Sequence, residues 1–277
     1  MAYLKVAVKL LFSFLILYFV FQKIEIENVL LILKEANIFY MIFAIGAFLL
    51  SQLISSLRLD HFWKSIGVQI TKKYNWQLYL LGMYYNMLLP GGIGGDGYKI
   101  YSLNKQYETS KKSLFEALLF DRLIGLLGLF CLLCLGLSLI NLIPWTKFLF
   151  LLIIPAIAFY YFIYKKWFAY FLPTLAPTFG LSLVIQLLQV LSAYMILTSL
   201  HVTGSILNYL SVFLLSSIAA VVPITFGGAG ARELTFLYCA PYFGIEANIA
   251  VSMSLVFYMI SLLVSLTGMY YSFKSKT

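Results

Sequence analysis

Charge is what this sequence has least of. Only 10% of its 277 residues are Asp, Glu, Lys or Arg, against 62% hydrophobic, and the mean hydropathy is +0.95. A soluble domain is typically about a quarter charged and half apolar, so this composition excludes a water-soluble fold. Cysteine is also sparse, with three residues. Cys131 and Cys134 form a C-x-x-C inside "GLFCLLCLGLSL" with no polar partner in the run, and they read as small apolar packing residues. His61 and His201 are the two histidines. Neither has a partner at metal-ligand spacing, so both read as interfacial residues, and neither a metal nor a cofactor is expected. There is no nucleophile–base set and no acidic D-D-x-x-D cluster; no catalytic residue is assigned, and the chain is not expected to be an enzyme.

Apolar residues fill the space that charge leaves. A bilayer core about 30 Å thick needs about 20 apolar residues per helix, and runs of this kind recur from end to end. They fall at about 4–21, 37–57, 76–89, 114–140, 148–164, 179–200, 205–222, 234–243 and 247–272. The expected class is an all-α polytopic membrane protein, with residues 1–277 as a single transmembrane domain. The first run follows basic residues as a signal peptide would, but Phe21-Gln22-Lys23 is a poor cleavage site, so it reads as an uncleaved span. The net charge of +9 does not indicate nucleic acid, because Lys and Arg gather in short loops as cytoplasmic segments require. With 21 Tyr and 24 Phe, both interfacial belts and stacking on sugars are open roles for the aromatics.

Loop charge orients the chain. Residues 58–73 and 98–113 are basic and read as cytoplasmic, while residues 22–36 are balanced to slightly acidic and read as outside. Run 76–89 therefore has both ends on one side, and about 14 helical residues rise only about 21 Å. It reads as a re-entrant element turning at "PGGIGGDG". Lys165-Lys166 and the tail with Lys274 and Lys276 are also basic, which puts both ends of 205–243 outside. That stretch reads as a second, opposed re-entrant element, turning at "PITFGGAG". N- and C-termini are both expected in the cytoplasm, in the inner (cytoplasmic) cell membrane.

The two turns match. "PGGIGGDGYK" (Pro90 to Lys99) and "PITFGGAGAR" (Pro223 to Arg232) share P-x-x-x-G-G-x-G-x-[KR] without a gap. Together with the order of runs this predicts an inverted repeat. Its two four-element halves, about 1–143 and 144–277, comprise about six full spans and the two re-entrant elements. Paired Gly/Pro breaks of this kind point to a transporter's midplane site. Proline stops the incoming helix, and glycine permits positive φ and close approach. The free N–H groups of such a break, leading into a new helix N-terminus, attract anions. Candidate binding residues in the first break are Asn86, Pro90, Gly94, Gly95, Asp96, Lys99 and Tyr101. The second contributes Pro223, Gly227, Gly228, Gly230, Arg232 and Glu233. Arg58, Asp121 and Arg122 join them, because charge inside a membrane is costly and by default functional. Glu116 is a further charge at membrane depth. Two roles stay open: these charges pair to lock helices together, or a lipid phosphate displaces a carboxylate from Lys99 or Arg232.

On "SSLRLDHFWKSIG", "NMLLPGGIGGDGYKIY", "LLFDRLIGLLGL" and "VPITFGGAGARELTF", the chain resembles the lysylphosphatidylglycerol-synthase transmembrane-domain family of flippase-like membrane proteins, over nearly its whole length. The family pattern usually has Arg where this chain has Lys99, and Arg-Trp where it has Arg58-Leu59. Lysine keeps the charge but loses bidentate phosphate binding. The resemblance implies movement of lipids between leaflets, including aminoacylated phospholipids and polyprenyl-linked glycans. The family's name-giving synthases carry a separate soluble catalytic domain, for which this sequence has no room. The expected function is a transporter or flippase for an anionic phospholipid or a polyprenyl-phosphate-linked saccharide. The alternative is a non-catalytic scaffold for a glycosyltransferase or an envelope lipid-modifying enzyme.

Overall fold

The computed structural model describes residues 26–88, 94–140, 142–221 and 230–274. Every regular element among them is helical. In chain order these are α1 (Ile26–Lys34), α2 (Ile38–Ser65), α3 (Lys72–Leu88), α4 (Gly94–Tyr107) and α5 (Lys111–Leu139). A 3-10 segment, Pro144–Leu152, leads into α6 (Ile153–Trp167), and a second, Ala169–Thr174, leads into α7 (Leu175–Ser199). Then come α8 (Ile206–Val221), α9 (Ala231–Phe243), α10 (Ala247–Leu266) and α11 (Met269–Lys274). Five helical stretches are long and apolar enough to cross a membrane: Ile38–Ser65, Lys111–Leu139, Pro144–Trp167, Ala169–Ser199 and Ala247–Ser272. These are five of the six full spans expected from hydropathy; the sixth, at 4–21, lies outside the described residues. The protein is an all-α, multi-pass integral membrane protein.

Two helices form where hydropathy suggested loops. α1 lies within 22–36 and alternates apolar and polar residues at helical period; its Val29 packs with Val251. α4 occupies much of 98–113 although its sequence, "GGDGYKIYSLNKQY", is polar. Packing, rather than composition, makes it a helix, since most helical stability comes from tertiary contact. It ends where Glu108 takes a positive φ of 53° and the Asn104 side-chain amide donates to the Thr109 carbonyl at 2.8 Å. α2 runs past its apolar portion to Ser65 because its charges have partners: Lys64 pairs with Asp60 at 2.6 Å, four residues back, and Arg58 is paired as described below.

The chain forms two compact units, interleaved along the sequence. One draws on the described residues of Met1–Leu49, Asn86–Ile93 and Leu188–Val264, and the other on those of Leu50–Tyr85, Gly94–Leu187 and Ser265–Thr277. The second unit has an aromatic core, with Phe62, Trp63, Phe120, Tyr164 and Phe171 buried together. In the first, Phe257 packs edge-on against both Phe48 and Phe213.

Each unit contains a helical hairpin. In the second, the Tyr74 and Ser102 hydroxyls hydrogen-bond at 3.1 Å, Lys99 lies over the Tyr79 ring, and Gly82 abuts Gly95. As residue number rises along α3, the partner's number falls along α4, so the two helices run antiparallel. In the first, the Asn208 side-chain amide donates to the Phe243 carbonyl at 2.7 Å and Arg232 donates to Ser217 at 3.0 Å. α8 and α9 therefore run antiparallel as well. The hairpin tips, 89–93 and 222–229, lie outside the described residues.

Helix boundaries recur at a fixed interval. Pro223 follows Pro90 by 133 residues. The same shift carries α3 onto α8 to within one residue at each end and places the ends of α2 inside Ala169–Ser199. It brings the ends of α5 to within three residues of those of Ala247–Ser272.

Candidate functional site

α2, α4 and α5 bring five charged side chains together in the second unit. Arg58, two turns before the end of α2, makes a bidentate pair with Asp121 of α5, Nε to Oδ1 at 2.8 Å and Nη2 to Oδ2 at 3.1 Å. Its remaining Nη1 donates to Ser182 of α7 at 2.9 Å. The guanidinium lies against Gly125, where any side chain would crowd it. Two parallel charge-assisted bonds are the strong geometry for this pair, and the side chains are 8% and 12% exposed. Such burial leaves water little part in balancing the charges.

The neighbouring residue on α5, Arg122, takes the other carboxylate. Its Nε and Nη2 both reach Asp96 Oδ2, at 2.7 and 2.6 Å. Asp96 sits in the first turn of α4, where a negative charge also complements the exposed N–H groups of the helix start. Its second oxygen faces Lys99 one turn on, at 3.4 Å, longer than either arginine contact. Lys99 is buried, with its ammonium 4.8 Å from the centre of the Tyr79 ring. Tyr79 in turn donates its hydroxyl to Gln52 of α2 at 3.3 Å. The cluster thus holds three cations, Arg58, Lys99 and Arg122, against two carboxylates, Asp96 and Asp121. One positive charge is in excess.

Gly95 is buried against Gly82, and a β-carbon at either position would overlap the other helix: the Gly82 carbonyl in one case, the Lys99 chain in the other. This contact sets the depth of Lys99 between α3 and α4. Gly94 opens α4 and is half-buried, as is Asn86 in the last turn of α3. Tyr101 is 61% exposed and takes no part in the cluster. Glu116 also lies apart from it, accepting the Tyr170 hydroxyl.

In the first unit Arg232 has a different setting. Its guanidinium lies over the rings of Phe213 and Phe257, 5.6 and 5.2 Å from their centres, and bonds the Ser217 hydroxyl. Among the described residues it forms no ion pair. Glu233, its neighbour in sequence, is used elsewhere. One carboxylate oxygen accepts the Gly230 backbone N–H at 2.7 Å and the other the Ser254 hydroxyl at 2.8 Å. Gly230 has φ of 88° and stands at the N-cap of α9; having no side chain it leaves only half of a capping box, the bond from its own N–H to Glu233. Pro90, Pro223, Gly227 and Gly228 lie outside the described residues.

Several contributors escaped sequence reasoning. Ser182 and Ser217 are two serines among many, and their partners are set by tertiary packing. Tyr79 and Gly82 lie on α3, where an aromatic beside a glycine carries no motif. No group of three His, Cys, Asp or Glu residues able to hold a metal occurs among the described residues.

Comparison with known proteins places the chain in a family. The family model for the lysylphosphatidylglycerol synthase TM region matches residues 6–268; the chain belongs to that family. No curated protein sequence matches it significantly.

Proposed function

We propose that this member of the family moves an anionic lipid, by its head-group phosphate, from one leaflet to the other. The observation that carries the reading is the cluster with one cation in excess, four of its five side chains buried and the fifth, Arg122, 39% exposed. A phosphate crossing hydrocarbon bare would meet a prohibitive desolvation cost, and this cluster offers it a counter-charge at membrane depth. Lys99 is the cation held least closely, at 3.4 Å from Asp96 while Arg122 holds the same carboxylate at 2.6 Å. Lys99 can swing to a phosphate and leave Asp96 still paired. Arg232, without an ion-pair partner among the described residues, serves as the corresponding station of the other half. In this reading the two hairpins are the re-entrant elements of an inverted repeat, which the recurrence of helix ends at 133 residues supports. Lys99 and Arg232 each serve one face of the membrane.

The test is leaflet exchange of fluorescent anionic lipids in liposomes with wild type, Lys99→Gln and Arg232→Gln. A charge-assisted hydrogen bond contributes about 1.5–3 kcal/mol, so each substitution is expected to slow exchange by about ten- to a hundredfold. Equal rates in all three, with folding intact and wild type active, would sink the proposal.

A further inference from the structure

The hairpin that carries Lys99 also borders a cavity that the phosphate chemistry does not use. It is a partly open cavity of about 370 Å³ between α3, α4 and α11, within the range of small-molecule sites. Its polar lining is Tyr74, Gln77, Tyr98, Ser102 and Tyr271. Leu78 and Leu81 close the apolar side. Among the described residues, no carboxylate, lysine or arginine lines it. On both helices lining residues directly precede the residues that surround Lys99, and so lie on the adjoining helix face. Leu78 precedes Tyr79, Leu81 precedes Gly82 and Tyr98 precedes Lys99.

The lining leaves hydrogen-bonding capacity open. Tyr74 and Ser102 bond each other at 3.1 Å, which leaves acceptor lone pairs and one donor between them. The Gln77 amide and the hydroxyls of Tyr98 and Tyr271 have no hydrogen-bond partner among the described residues. The Tyr98 ring packs against Tyr85 at 4.8 Å, which fixes the plane it presents. Neutral donors and acceptors beside aromatic faces suit a hydroxyl-bearing group, whose C–H faces meet rings while its O–H groups exchange bonds with amide and hydroxyl. An ammonium would be drawn to the tyrosine faces, but it would enter without a carboxylate, next to a cluster with three cations and two anions.

We infer that this cavity receives the uncharged, hydroxyl-rich part of a phosphodiester head group while Lys99 holds its phosphate. The inference rests on the lipid-transport reading and narrows it. The preferred lipids carry a polyol, such as glycerol, inositol or a sugar, beyond the phosphate, and lack an ammonium.

Binding to the detergent-solubilised protein by native mass spectrometry tests this separately from transport. The probes are phosphatidylinositol, phosphatidylglycerol, phosphatidylethanol and phosphatidylethanolamine. Phosphatidylethanol has the same single charge as phosphatidylglycerol but no head-group hydroxyl. Two neutral hydrogen bonds correspond to about tenfold, so the two polyol lipids are expected to bind about tenfold tighter than phosphatidylethanol. In Gln77→Leu, with one of the two bonds lost, the gap should close to about threefold, with phosphatidylethanol affinity unchanged. Ser102→Ala, a smaller change, should narrow it part way, and it keeps the test alive if Gln77→Leu fails to fold. Equal affinity of wild type for phosphatidylglycerol and phosphatidylethanol, a gap that survives both substitutions, or tightest binding of phosphatidylethanolamine would overturn the assignment. A polyol preference without any leaflet exchange would leave the cavity's role standing and remove the transport reading instead.

Discussion

Arg58 and Asp121 show how a charge can be kept at membrane depth. Neither is tolerable alone there, since an isolated ion in a low-dielectric interior pays several kcal/mol of desolvation. Together, with two parallel bonds and Ser182 on the third donor, they are satisfied. This pair engages both carboxylate oxygens with one guanidinium, and its structural role is the easiest in the cluster to separate from function. Asp121→Ala should leave a buried, uncompensated guanidinium and cost about 3–5 kcal/mol, whereas Arg58→Leu with Asp121→Leu together should cost far less than either alone. Thermal unfolding in detergent, followed by tryptophan fluorescence, distinguishes the cases. A double variant as unstable as the single one would mean the pair is not independent of its surroundings. A stable double variant that still exchanges lipid at the wild-type rate would confine Arg58 and Asp121 to structure.

At the scale of the element, the hairpin of α3 and α4 depends on a backbone contact. Gly82 and Gly95 meet with no room for a side chain, whereas a β-carbon on Gly97, two residues on in the same helix, would meet nothing within 4 Å. Gly95→Ala is therefore expected to push the two helices apart and destabilise the protein by about 1–3 kcal/mol. Gly97→Ala should be neutral or stabilising by up to about 1 kcal/mol through helix propensity. Comparable melting temperatures for the two variants would show that the close crossing is not what holds α4 in place. The motif already marked Gly95 as a position of close approach, but Gly82 could not be read from it. A glycine in the middle of an aromatic helix has many possible reasons, and its neighbour lies on another helix. The long spans were legible because hydropathy accumulates over about 20 residues and needs no partner. α4 was not legible, because its polar sequence becomes helical only against α3. The charged residues of the cluster stood out by their cost in a membrane, while the assignment of carboxylates to cations did not. Glu233 follows Arg232 directly in sequence, yet it turns back to cap its own helix.

At the scale of the whole molecule, the orientation of the hairpins decides whether the two halves are opposed. Both hairpins are antiparallel, so the outer ends of each lie on one side. For the first these ends are Lys72 and Lys105, and for the second they are the segments around Thr203 and Glu246. All four positions are exposed, so cysteines placed there can be labelled without disturbing packing. The basic residues near the first pair, Lys64, Lys73, Lys111 and Lys112, favour the cytoplasmic side by the distribution of Lys and Arg in short loops. Around the second pair, 200–206 and 244–247 contain no Lys or Arg. In a cysteine-free background, a membrane-impermeant maleimide is expected to label cysteines at 203 and 246 from outside intact cells. It should reach cysteines at 72 and 105 only after the membrane is opened. Labelling of all four from one face would make the hairpins parallel in the membrane, and Lys99 and Arg232 would then serve the same leaflet. Labelling of 72 and 105 from opposite faces would make α3 and α4 a crossing pair. The close Gly82–Gly95 contact argues against that outcome, because it holds the two helices side by side as they return to the same end.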